Sequence, residues 1–169
     1  YTLSWTKLQF DEVNNGNPFW ARYDRRHDVS LVAVYELSEG ITLSGTWVYG
    51  TGNAITLPLA SYPAQEHYPV KPGYGWINQV QDYGEKNSYR MAPYHRLDVG
   101  VQFHKKFQKH ERTWEVSVYN LYNRRNPFIY YIANEYDYNQ HTGIETSTTK
   151  LKQLSLFQLI PSVSWSIKF

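Results

Sequence analysis

A chain of 169 residues is long enough to bury one core, and a formal charge of +2 with dispersed Lys and Arg excludes an electrostatic nucleic-acid surface. The absence of cysteine removes disulfide frameworks and thiolate metal sites. Tyr, Trp and Phe supply 17 % of the residues, Tyr alone 16 of them, and helix-favouring Ala, Met and Glu are sparse, which is a β composition.

Residues 1–10 read as a strand, with Leu3 and Trp5 opposite Ser4 and Thr6, whose alternation fades at Lys7 and Leu8. The segment starts without an initiating Met, basic segment or apolar signal core, so the chain is expected to be the C-terminal piece of a longer polypeptide. Residues 11–26 carry an NNGNP cluster, which is loop chemistry because Gly and Asn tolerate positive φ and Pro cannot extend a ladder. Residues 27–37 alternate most cleanly: Val29, Leu31, Ala33, Tyr35 and Leu37 share one face, while Asp28 and Glu36 lie on the other. Residues 38–40 predict a tight turn with Gly40 in the left-handed region. The next strand sets Ile41, Leu43, Gly45, Trp47 and Tyr49 opposite Thr42, Ser44, Thr46 and Val48, and is expected to continue toward Leu59.

Residues 61–92 read as a long connection rich in Pro, Gly and Tyr. Residues 96–107 alternate Leu97, Val99, Val101 and Phe103 with Asp98, Gly100, Gln102 and His104, and residues 108–111 make a short polar turn. From Thr113, Trp114, Val116 and Val118 oppose Glu115, Ser117 and Tyr119 until the pattern fails at Asn120, through a bulge or emergence from the apolar layer. Residues 134–150 read as another long polar loop. The last strand is expected from Leu151 to Phe169, with a ladder defect at Pro161, which has no amide to donate.

The connections alternate long and short, so all long ones leave the same end of an up-and-down sheet. Outer-membrane barrels have this asymmetry, with short periplasmic turns and long extracellular loops. A soluble β-sandwich alternates too, but loop asymmetry, strand length and the aromatic terminus favour an antiparallel transmembrane β-barrel with the C-terminus on the periplasmic side. No run approaches about 20 apolar residues, which excludes a transmembrane helix. The mean hydropathy of −0.61 does not exclude a barrel, which shows lipid only alternate residues. Six strands cannot close a barrel, because an open edge in hydrocarbon leaves backbone groups unpaired, so further strands are expected from upstream sequence or other chains.

The segments YDRRHDVSLVAVYEL, TWVYGTGNAITLP, PYHRLDVGVQF, SVYNLYNRRNPF and LFQLIPSVSWSIKF resemble, in this order, the C-terminal strands of TonB-dependent outer-membrane receptors, most closely the SusC-like type of Bacteroidetes. The resemblance implies that residues 1–169 are about the last six strands of a barrel of about 22, with the N-terminal plug domain absent. It further implies import of a large nutrient (glycan, peptide or chelate) across the bacterial outer membrane. The implied partners are outer-membrane lipid, the remaining strands and plug, TonB acting through that plug, and a SusD-like surface lipoprotein.

Val163, Trp165, Ile167 and Phe169 resemble the C-terminal barrel-assembly signal, although any lipid-facing strand shares the pattern. Among the aromatics of the long connections, Tyr68, Tyr74, Trp76, Tyr83, Tyr136 and Tyr138 are ligand-contact candidates, since a ring with a polar tip suits amphipathic ligands; loop packing or an interfacial girdle is the plainer alternative. The YDRRHD cluster is read as an ion-pair network anchoring a loop base rather than a catalytic group. No metal-ligand spacing, nucleophile motif or dinucleotide fingerprint occurs, so neither enzyme activity nor a cofactor is expected; the alternative class is an outer-membrane enzyme or adhesin barrel with functional loops.

Overall fold

The structure is a computed structural model that describes residues 1–64, 78–140 and 143–169. These residues form strands and one 3-10 turn at Asn14–Gly16, with no α-helix among them. In chain order the strands are β1 (Thr2–Leu3), β2 (Lys7–Leu8), β3 (Phe19–Trp20), β4 (His27–Ser38), β5 (Ile41–Gly50), β6 (Ala54–Ile55) and β7 (Pro58–Ala64). Then follow β8 (Asn78–Tyr83), β9 (Tyr89–Arg90), β10 (Tyr94–Lys106), β11 (Glu111–Tyr119), β12 (Ile129–Asn139), β13 (Ile144–Leu154) and β14 (Ile160–Lys168). The fold is therefore all-β.

One compact unit comprises Tyr1–Thr2, His27–Thr51 and Ala92–Phe169; the other comprises Leu3–Arg26 and Gly52–Met91. The first is built on a six-stranded sheet in the order β1-β4-β5-β10-β11-β14. The pairings from β4 through β14 are antiparallel. The sheet does not close on itself, and the described residues form no closed barrel.

Direct cross-strand partners share a face, so the register turns five alternating sequences into rows. On one face the rows are Val29, Tyr49 and His95; then Leu31, Trp47 and Leu97; then Ala33, Gly45, Val99, Val118 and Pro161. Next come Tyr35, Leu43, Val101, Val116 and Val163, and finally Ile41, Phe103, Trp114 and Trp165. The other face carries Glu36, Thr42, Gln102, Glu115 and Ser164 in one row and Val34, Ser44, Gly100, Ser117 and Ser162 in another. The strands approach closely at Gly100, where a Cβ would lie 2.9 Å from Ser44 Oγ and make that side chain turn away.

Several sequence expectations change. The first strand is only the fragments β1 and β2, because Ser4 Oγ and Ser4 N bond to the carbonyls of Arg25 and Arg26 instead of extending a ladder. β5 stops at Gly50, and the residues expected to continue it pair elsewhere, as β6 with β9 and β7 with β8. Residues 134–139 and 144–150 are strand, not loop: β12 and β13 pair as a regular antiparallel ribbon, and Gly143, just before β13, stands at φ +68°. The last strand is divided, since residues 155–159 lie outside any strand. Pro161 causes no register shift and faces Val118 in an unbroken ladder; the irregularity falls instead between Glu36 and Ser38. Gly40 is not in the left-handed region. Its carbonyl accepts from His104 N at 2.7 Å, and a Cβ there would stand in a tight 3.1 Å contact with the His104 carbonyl oxygen.

The β12–β13 ribbon holds its odd face by charge. Glu135 is flanked by Lys150 and, at 2.7 Å, Lys152. Hydrogen bonds from Lys150 and then Lys152 lower its carboxyl to about 2 from the usual 4.5. A carboxylate depressed in the folded state stabilises above its ordinary pKa and loses that contribution as pH falls through the folded value. The ribbon is thus expected to loosen between pH of about 4.5 and about 2, checked by a carbon-detected titration of Glu135 against amide exchange across β12 and β13. A midpoint in the ordinary glutamate range would contradict the assignment.

Candidate functional site

Three arrangements stand out, each within a single unit. The first is the apolar sheet face, whose middle rows are aliphatic and whose ends are aromatic. At one end Tyr49 stacks with Trp47 (6.1 Å) and His95 (6.4 Å), and the Tyr122 hydroxyl lies 2.7 Å from His95 Nδ1. At the other, Trp114 meets Trp165 at 6.2 Å, and His110 lies between Phe107 (4.7 Å) and Phe169 (6.2 Å). From His95 to Phe103 is eight residues, about 27 Å of strand, or roughly 20 Å of height at a barrel-like tilt of about 40°. Leu31 (59 %), Tyr35 (65 %), Val163 (65 %) and Trp165 (54 %) are exposed, so no described element covers this band.

The second arrangement lies on the opposite face. Tyr94, Arg96, Asp98 and Tyr119 share it because they alternate along β10 and β11. Arg96 donates from Nη1 to the Tyr94 hydroxyl (3.0 Å) and the Tyr119 hydroxyl (2.7 Å), and its guanidinium lies 4.2 Å from the Tyr119 ring centre. Arg96 Nε is 2.9 Å from Asp98 Oδ2, but its hydrogen is not aimed at that oxygen, so the contact is an ion pair without a hydrogen bond. Asp98 Oδ1 accepts from Asn120 N at 2.9 Å.

Asn120 is fully buried at φ +55°, and its side chain bonds both ways to the Arg124 backbone. The break in alternation at Asn120 is thus a left-handed residue that ends β11 and sends the chain over the tyrosines. There Tyr94, Tyr119, Asn126, Pro127, Phe128, Leu156 and Phe157 line a pocket of about 190 Å³.

The third arrangement is in the other unit and corresponds to the YDRRHD cluster. Asp24, fully buried, accepts from Thr6 N and Arg90 Nη2, both at 2.6 Å. Arg90 Nη1 donates to the carbonyls of Asp24 (2.7 Å) and Gly52 (3.1 Å). Trp20 lies among Arg26, Lys7 and Arg90 at 4.6, 4.8 and 5.5 Å, and Asn87 Nδ2 donates to its carbonyl at 2.7 Å. This arrangement ties four chain segments together and has the character of an anchor.

Of the candidate contacts, Tyr68, Tyr74 and Trp76 lie outside the described residues. Tyr83 ends β8, with its hydroxyl donating to Gln81 Oε1 at 2.6 Å. Tyr136 and Tyr138 stand exposed on one face of β12 and belong to the other unit from Tyr83. Val163 and Trp165 sit in the apolar rows, Ile167 faces Arg112, and Phe169 contacts His110. No group of metal-ligating side chains occurs among the described residues.

The Tyr94–Arg96–Tyr119 site was not among the sequence candidates. Its available signal was opposite charge at Arg96 and Asp98, two apart on the non-apolar face. Comparison with known protein families, curated proteins and solved structures finds no match.

Removing one partner from a buried ion pair strands the other charge, at a cost of about 3–5 kcal/mol. Arg90 retains 24 % side-chain exposure, so Asp24→Asn is expected near the low end, about 3 kcal/mol by denaturant unfolding. A loss under about 1 kcal/mol would make it an ordinary surface pair.

Proposed function

We propose that this chain forms part of the wall of a TonB-dependent outer-membrane transporter that imports a large nutrient, such as a glycan, peptide or chelate, with its C-terminus at the periplasmic side. The carrying observation is the exposed band of aliphatic rows between aromatic rows, on the face opposite Asp28, Glu36, Arg96, Asp98 and Glu115, with the cations Lys105 and Arg112 of the same face falling beyond its tryptophan rim. Its height of roughly 20 Å is close to the apolar band of about 25 Å on membrane barrels. Aromatic rings favour the bilayer interfaces because one edge is apolar and the polar tip stays wet.

The connections support the same orientation. Two-residue and four-residue turns join β4 to β5 and β10 to β11 at the Phe169 end, while the long connections leave the other end. On this reading the remaining barrel strands and the plug complete the wall, the plug relays energy from TonB, and Tyr136 and Tyr138 belong to extracellular ribbon surface available to a SusD-like lipoprotein.

Two adjacent residues of β14 test the orientation. Val163→Arg places a cation one row from the tryptophan rim and is expected to cost about 2 kcal/mol in a bilayer, whereas Ser164→Arg, on the opposite face, should change stability by under about 0.5 kcal/mol. In single-tryptophan variants, Trp114 and Trp165 should be quenched by brominated lipid. Equal effects of the two arginines and an unquenched Trp165 would remove the membrane reading. If quenching holds but nutrient uptake by cells carrying the protein does not depend on TonB, transport falls and the wall remains.

A further inference from the structure

We propose that the pocket above Tyr94 and Tyr119 binds one small neutral aromatic molecule carrying a single hydrogen-bond acceptor. The site lies within one unit and stands on its own geometry, whether or not the sheet is a barrel wall. Size sets the first limit: a cavity of about 150 Å³ suffices for benzene, so 190 Å³ takes one six-membered ring with a short substituent.

The lining sets the ring's place. Phe128, Leu156 and Phe157 are 63 %, 49 % and 59 % exposed, so an apolar ring against them removes surface from water on both partners. Phe157 already meets Tyr119 edge to face, at 6.4 Å and 82°, leaving an aromatic wall suited to a further planar ring.

Counting donors sets the polar end. Asn126 is held in place, its Oδ1 accepting from His95 N and Arg124 Nε and its Nδ2 spending one of its two hydrogens on the His95 carbonyl. Both tyrosine oxygens accept from Arg96, and each phenol keeps its own hydrogen. The oxygens are 3.4 Å apart, so one hydrogen is shared between them, and the other has no acceptor among the described residues. The neighbouring guanidinium polarises that O–H and strengthens it as a donor. Asp98 already balances the charge of Arg96, so a carboxylate would surrender its hydration for little net attraction. A hydroxyl or carbonyl is the fitting acceptor.

The test titrates the full chain with benzyl alcohol by ligand-observed NMR, with toluene, benzoate and cyclohexylmethanol compared in the same medium. Benzyl alcohol is expected to bind most tightly, with toluene weaker by about 2- to 10-fold, the range of one neutral hydrogen bond. The Tyr94→Phe/Tyr119→Phe double variant should abolish that difference without abolishing toluene binding. Phe157→Ala, outside any strand and therefore tolerable to folding, should weaken both aromatic probes by about 5-fold or more. Equal binding of toluene and benzyl alcohol, preference for benzoate or cyclohexylmethanol, or binding indifferent to Phe157→Ala would each overturn the proposal. Lipid quenching of Trp165 is unaffected by these outcomes, so failure here and failure of the membrane reading are separate results.

Discussion

The first unit depends on one constraint: backbone pairing in strict antiparallel register, which sends alternate residues of β4, β5, β10, β11 and β14 to the same face. A slip of one residue in any strand would put its polar set among aliphatic neighbours. In β10 it would move Asp98 and Gln102 into rows now held by Val99, Val101 and Phe103. The register therefore follows from the side-chain pattern, and Gly100 and Gly40 let the strands approach closely enough to keep it.

The same constraint explains where chemistry collects. Within the rows, the opposite face carries Val32 and Val34 beside Ser, Thr and Gly, and Gln102 Nε2 donates to Glu115 Oε2 at 3.0 Å. The network changes character only where the ladder ends. Asn120 turns left-handed, its amide takes one Asp98 oxygen, and the other oxygen holds the Arg96 guanidinium beneath two tyrosines. The end of β11 and the floor of the pocket are thus one structure. In the other unit, Asp24 fills the corresponding need by satisfying Thr6 N and Arg90 where short strand fragments leave backbone groups unpaired.

What was legible in the sequence follows the range of the forces involved. The period-2 patterns of β4, β10 and β11 are local and sit within two residues of their expected bounds. The ribbons β7–β8 and β12–β13 were not legible, because their polar sequences lack a buried face to impose alternation; cross-strand bonds such as Thr149 Oγ1 to Asn134 Oδ1 take its place. The Asp24–Arg90 pair joins residues 66 positions apart, which no local pattern reveals. Pro161 misled through a sound rule applied without knowledge of the neighbour: its missing amide matters only on the side of the strand that needs a donor, and the ladder with β11 keeps its register.

The sheet edges carry the argument one step further. β14 pairs along one side with β11, and its other side presents backbone groups with no strand partner among the described residues. Soluble sheets blunt such an edge with inward charges, bulges or proline. β14 has Pro161 and Lys168 at its ends, but between them runs a regular series of Ser, Val, Trp and Ile with no bulge. In water such an edge invites association; in hydrocarbon each unpaired backbone group costs several kcal/mol. An apolar face and an unprotected edge on one strand therefore make the same demand: in a membrane, β14 must be continued by another strand.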